Sequence, residues 1–201
     1  MTSASPQDTD PSRGPTLKHG IAVEGSLLLL ALGLALPFGL TPWLDLTWSW
    51  SVLGQGLLAT VPLVALFIGL LQLPYSWLKE LTQLTRRLLL PMFRTTGVWG
   101  IAILSLIAGI GEELLFRGVV QLGLTGWIGD VGALVVASVM FGVAHFITPA
   151  YFVLATVMGA YLGGLYFWTG NLLLPILVHA LYDFLALGYY YVREPYAPDL
   201  A

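Results

Sequence analysis

Residues 97–124 read GVWGIAILSLIAGIGEELLFRGVVQLGL. Positions 97–111 carry no charged side chain; Glu112, Glu113 and Arg117 then arrive within two turns, and the apolar run resumes. The stretch is long enough to cross a bilayer, which takes about 20 apolar residues. An ionisable group inside a spanning helix costs about 2.5–3.5 kcal/mol on insertion scales. Three of them together therefore predict a helix with one face in lipid and another turned into a protein interior.

The rest of the chain supports lipid as the solvent. Of 201 residues, 57% are hydrophobic and 9% charged, where soluble domains carry about 25% charge. Mean hydropathy is +0.84. A soluble fold this poor in charge could not cover its surface. The net charge of −3 offers no basic patch for nucleic acid. With no cysteine, disulfides, thiolate metal ligands and a cysteine nucleophile are excluded.

Six apolar stretches approach spanning length, at about 21–40, 51–73, 97–122, 130–147, 151–168 and 171–191. The last four are joined by short turns with Gly or Pro (TGWIGD, TPA, TGN), so they predict a compact antiparallel bundle. Residues 74–96 differ. Trp77, Leu81, Leu84 and Leu88 form one stripe, with Lys79, Arg86 and Arg87 off it, which predicts an amphipathic helix in the membrane interface. The expected class is all-α integral membrane, with about six transmembrane helices plus that interfacial helix. The domain reading is a disordered polar tail at 1–18, two spans and the interfacial helix at 19–96, a four-helix core at 97–192 and a tail at 193–201. Basic residues in the first tail and at 79–87 put the N-terminus on the cytoplasmic side. Gly159 and Gly163, at GxxxG spacing, let helix backbones approach.

Three of the last four helices carry ionisable groups. Glu112, Glu113 and Arg117 are joined by His145 in FGVAHF and by His179 and Asp183 in VHALYDF. The third histidine, His19, borders the tail and needs no role. Glu113 and Arg117 are four apart and pair along one face. Glu112 is turned about 100° away and has no local partner. His179 and Asp183 project together, and Phe141 walls His145. Singly, each has a structural explanation: an ion pair, a packing hydrogen bond, a satisfied buried histidine. Jointly, an unpaired carboxylate, two imidazoles and a further carboxylate from three helices make a water-activating centre if they converge. A carboxylate in an apolar site can act as general base toward water, and an imidazole can stabilise the oxyanion of an attacked peptide carbonyl. Two imidazoles and a carboxylate also match the ligand set of a catalytic zinc, although no HExxH spacing is present.

These motifs resemble the CPBP family of intramembrane proteases (the Abi or CAAX-protease family), which includes type II CAAX prenyl endopeptidases. Its EExxxR, FxxxH and HxxxN/D motifs match EELLFR (Glu112–Arg117), FGVAH (Phe141–His145) and HALYD (His179–Asp183), in order, across roughly residues 98–190. The resemblance implies an intramembrane endopeptidase of a bacterial plasma membrane, acting on a membrane-associated protein or peptide, with its active site inside the last four helices. It implies that Glu112, helped by His145, activates water, and that His179 and Asp183 support the oxyanion. If a divalent metal such as zinc is present, His145, His179 and Asp183 would bind it. Glu113 and Arg117 would hold the first motif in place, beside Phe141. The prenyl-protein branch has Asn where this chain has Asp183. An ionised carboxylate cannot donate to an oxyanion, so Asp183 must be protonated, orient His179 or ligate a metal. Two other readings use the same residues: a proton-coupled transporter with a His/Glu relay, and a non-catalytic immunity or scaffold protein.

One expectation concerns depth. With helices rising 1.5 Å per residue, Glu112 lies roughly 22 Å from residue 97, whereas His145 lies about 8 Å from that side of a roughly 30 Å core. A shared site requires the third helix to start later, tilt strongly or run its first turns outside lipid.

Overall fold

The computed structural model describes residues 15–193. Of the two expected tails, 1–14 and 194–201 lie outside the described residues. Leu17 and Lys18 are not tail: they open the first helix, because Thr16 caps it. The Thr16 N–H donates to His19 Nδ1 at 3.2 Å, which gives His19 a structural role.

The helices are α1 (Leu17–Ala35), α2 (Trp50–Leu71), α3 (Ser76–Leu88), α4 (Gly97–Glu113), α5 (Leu122–Ala144), α6 (Pro149–Thr169) and α7 (Leu173–Arg193). A π-helical segment, Leu114–Gln121, joins α4 to α5. Five helical runs are long and apolar enough to span a membrane, one of them the 48-residue run Gly97–Ala144. That run breaks at Gly129, whose φ of 71° and ψ of 167° are not helical. A positive φ strains residues with a Cβ and is open to glycine. The chain folds back there, so the two spans expected at 97–122 and 130–147 pack as antiparallel arms.

The all-α integral-membrane class follows from what these helices leave outside. Leu29, Leu58, Val131 and many other large apolar side chains face outward, as suits lipid-facing helix surfaces. All seven tryptophans sit at or beside helix ends, and Trp50, Trp99, Trp127 and Trp168 are at least 77% exposed. Such aromatic girdles lie at membrane–water interfaces. Helix α3 is amphipathic as expected; it buries Leu78 and carries Arg86 and Arg87 in its last turn. Leu17, Leu89, Met92, Phe93 and Tyr191 cluster together, which gathers Lys18, the basic residues of 79–94 and Arg193 at one end.

The π segment is the bundle axis: Leu114–Val119 and Gln121 are all buried. Gly118 has its place there because a Cβ would lie 2.6 Å from Pro42 Cβ and 3.2 Å from Leu172. Pro42 opens a short 3-10 turn between α1 and α2. That turn is tied to the α6–α7 turn by Leu172 N–H to Asp45 O (2.9 Å), Tyr166 OH to Asp45 Oδ2 (2.6 Å) and Asn171 Nδ2 to Thr47 O (2.7 Å).

The depth mismatch resolves without a later start, since α4 begins at Gly97. From there to Gly129 the helix covers roughly 45 Å at about 1.5 Å per residue, beyond a roughly 30 Å core. Glu112 and His145 stand about equally far along the chain on either side of Gly129. Helices α5 and α6 therefore meet at the level of Glu112, while α4 and α7 continue past them toward the basic end.

Gly118→Ala should lower the thermal unfolding temperature in detergent. Overpacking costs about 1–3 kcal/mol, against about 1 kcal/mol gained in helix propensity, and the rigid Pro42 ring cannot yield. Gly33→Ala, with nothing within 4 Å, should keep or raise that temperature.

Candidate active site

Glu113 is fully buried, and its carboxylate is matched from two directions. Arg117 NH1 donates to Oε1 at 2.8 Å, and His179 Nδ1 meets the same oxygen at 2.7 Å. Arg117 NH2 donates to the Gly159 carbonyl at 2.8 Å, and the guanidinium lies 4.7 Å over the Phe141 ring. One turn on, Gln121 Nε2 donates to Gly163 O at 3.1 Å. The GxxxG pair thus does two things. It lets α6 approach α5, since a Cβ at Gly159 would lie 3.2 Å from Ser138 backbone, and it opens two helix carbonyls to buried donors.

Phe141 is the hub of the site's packing. Its ring stacks on His145 at 4.4 Å and meets His179 at 5.9 Å and Phe116 at 5.1 Å edge-on. Both imidazoles are anchored through Nδ1. His145 Nδ1 lies 2.9 Å from Phe141 O; a carbonyl only accepts, so Nδ1 carries the hydrogen. His179 Nδ1 donates likewise to Glu113. Each ring then turns Nε2 toward a carboxyl. His145 Nε2 is 3.4 Å from Glu112 Oε2, and His179 Nε2 is 3.5 Å from Asp183 Oδ2. Both separations are long for a hydrogen bond, and Glu112 Oε2 is buried without a hydrogen-bond partner.

The structure thus brings Glu112, Glu113, Arg117, Phe141, His145, His179 and Asp183 into one cluster. Its interior members are Glu112, Glu113, Arg117 and His179; His145 (24%) and Asp183 (28%) keep partial exposure and mark the opening. Among the described residues, no three His, Cys, Asp or Glu side chains gather as metal ligands. His145, His179 and Asp183, expected to bind a metal if one is present, are not assembled as such a set.

Two further residues reach this cluster. Glu24, on α1, sets its carboxyl within hydrogen-bonding reach of Glu112. A lone acid near a helix end gave no sign of this in the sequence. Tyr151 is placed by the start of α6, where Thr148 Oγ1 accepts its N–H at 3.1 Å. Its ring lies 6.1 Å from His145.

Comparison with known proteins agrees with the three motifs. Residues 93–185 match the family described as Type II CAAX prenyl endopeptidase Rce1-like. The chain is also 33% identical over 95 residues to "Uncharacterized protein YpbD" of Bacillus subtilis (strain 168). The aligned part is 46% of this chain and 46% of that protein, so it spans about half the length of the curated relative. No solved structure matches.

Removing Arg117 should be costly for the fold itself. Arg117→Leu leaves Glu113 buried with one partner fewer, a loss of about 3–5 kcal/mol, read as a lower unfolding temperature in detergent. Arg117→Lys keeps the charge but not both donor contacts, so it should recover only part of that loss.

Proposed function

We propose that this protein, Rce1-like over residues 93–185, is an integral-membrane endopeptidase that hydrolyses a peptide bond in a membrane-associated protein or peptide. The observation that carries the proposal is the meeting of Glu112 and His145 across the Gly129 fold-back, at 3.4 Å, with Glu112 Oε2 unpartnered. At that separation a single water lying beside the pair can reach both the carboxylate and the imidazole.

Glu112 takes a proton from the water while His145, its tautomer held by Phe141 O, orients it. The water oxygen bonds the peptide carbon. With Nδ1–H committed to Glu113, a proton on Nε2 makes His179 a cation between two carboxylates, aimed at the negative oxygen of the tetrahedral intermediate. In this reading Asp183 orients His179, which answers the departure from Asn at that position. Glu112 then passes its proton to the amide nitrogen as the C–N bond breaks. Glu113, Arg117 and Phe141 position the two imidazoles.

The basic end gathers Lys18, Lys79, Arg86, Arg87, Arg94 and Arg193, and the positive-inside rule makes it cytoplasmic. Substrate then reaches Glu112 from that side, through the recess left where α5 and α6 stop. A bacterial plasma membrane is the proposed location.

Glu112→Gln should abolish cleavage, by about 10²–10⁴-fold for loss of a general base, while the protein still inserts and folds. Comparative proteomics of membranes carrying either form should reveal new peptide termini only with Glu112. Identical termini in both would overturn the proposal. A transport defect without a cleaved product would favour a proton relay, and unchanged biological activity of the variant a scaffold. Chelator treatment of the purified protein should leave the rate unchanged.

A further inference from the structure

The Glu112 carboxyl has a neighbour that none of the three motifs supplies. Gly111 lets α1 press against α4: a Cβ there would lie 2.8 Å from the Glu24 carbonyl oxygen and 3.4 Å from Leu28 N. This backbone contact sets Glu24 beside the turn that carries Glu112, and the two carboxyls meet within hydrogen-bonding reach. Two ionised carboxylates only accept, so a hydrogen bond between them requires one proton. Glu112 has the His145 imidazole at 3.4 Å to face its charge. Each of the two has a buried Oε2 without a hydrogen-bond partner, an arrangement that is costly for an ion, and the close imidazole is on the Glu112 side. The other titratable groups around the pair are His145, His179 and Asp183, from the end of α5 and from α7, Arg117 from the π segment and Tyr151 from α6.

We propose that Glu24 is a positioning residue for the hydrolysis: as the acid member of the pair it donates a hydrogen bond to Glu112 and keeps Glu112 the charged, water-facing carboxylate. The inference rests on the proposed hydrolytic role of Glu112. The resting pair holds one proton and one negative charge. When water attacks, its proton passes to Glu112 as the oxygen bonds the peptide carbon, and the pair becomes neutral with two protons. One of them goes to the amide nitrogen as the C–N bond breaks, and the pair returns to one. The assignment brings α1, which lies outside the family match, into the working site.

The test uses the full chain in detergent with two variants. Glu24→Gln keeps an N–H donor but cannot hold the proton; Glu24→Leu keeps volume without a donor. The first readout needs no substrate: the carboxylic-acid C=O band in infrared spectra. It should be present in the unaltered protein and lose intensity in Glu24→Gln. The second is kinetics on a peptide carrying the cleavage site found by proteomics. Glu24→Leu should lose about 10–100-fold in kcat, the scale of a hydrogen bond to a charged group, with KM unchanged. Glu24→Gln should recover most of that loss. An unchanged band in Glu24→Gln, an unaltered kcat in Glu24→Leu, or equal losses in both variants would each overturn the proposal. If the unaltered protein cleaves no peptide, the hydrolase reading fails, and the band still reports separately whether Glu24 holds the proton.

Discussion

The Glu113 carboxylate is the constraint around which the bundle is arranged. A charge with no exposure to solvent must be compensated from within, and here the compensation comes from two directions. Arg117 answers it from the π segment and His179 from α7. The same guanidinium reaches α6 through Gly159 O and lies over Phe141 of α5. Neutralising one ion therefore orients α5, α6, α7 and the π segment together. Buried ion pairs contribute little net stability once desolvation is counted. What this one fixes is direction, because both imidazoles take their orientation from Glu113 or from Phe141 beside it.

Lipid outside and close backbone contact inside meet different needs with different residues. Outward-facing Leu and Val cost nothing in hydrocarbon, and the tryptophans mark where hydrocarbon ends. Inside, no hydrophobic force draws helix to helix, since lipid tails are as apolar as leucine. Small residues substitute for it. Gly111 admits α1, Gly118 admits the Pro42 turn, and Gly159 admits α5. Each of these glycines lies beside, or directly bonds to, a residue of the cluster, so packing and site geometry are settled by the same contacts.

Much of this was legible in the sequence because the motifs are local. The spacing of Glu113 and Arg117, of Phe141 and His145, and of His179 and Asp183 fixes a shared helix face before any tertiary structure is known, and all three pairs are found. The contact between Glu112 and His145 required a guess at convergence, and the straight-helix depth estimate argued against it. That estimate assumed turns at equal depth. It could not know that the α5–α6 turn is set inward while α4 runs on. The π segment was invisible because its wide turns depend on packing from every side and leave no periodicity distinct from an ordinary helix. Glu24 carries no motif of its own; its placement beside Glu112 depends on Gly111, nearly ninety positions away. Tyr151 was hidden among the aromatics that open α6. His19, which borders the tail, carries no sequence sign that its ring completes the Thr16 cap of α1.

The fold-back at Gly129 carries an evolutionary consequence. The two arms it joins act as a pair of matched rulers, and Glu112 and His145 are read at the same mark on each. Adding one residue to either arm would advance one reading by about 1.5 Å and rotate its side chain by about 100°, taking it out of phase with the other. Insertions between these two residues are therefore tolerable only at the exposed tip beside Trp127, where the count on both rulers is untouched. Length variation among related chains should collect there and be absent from the arms.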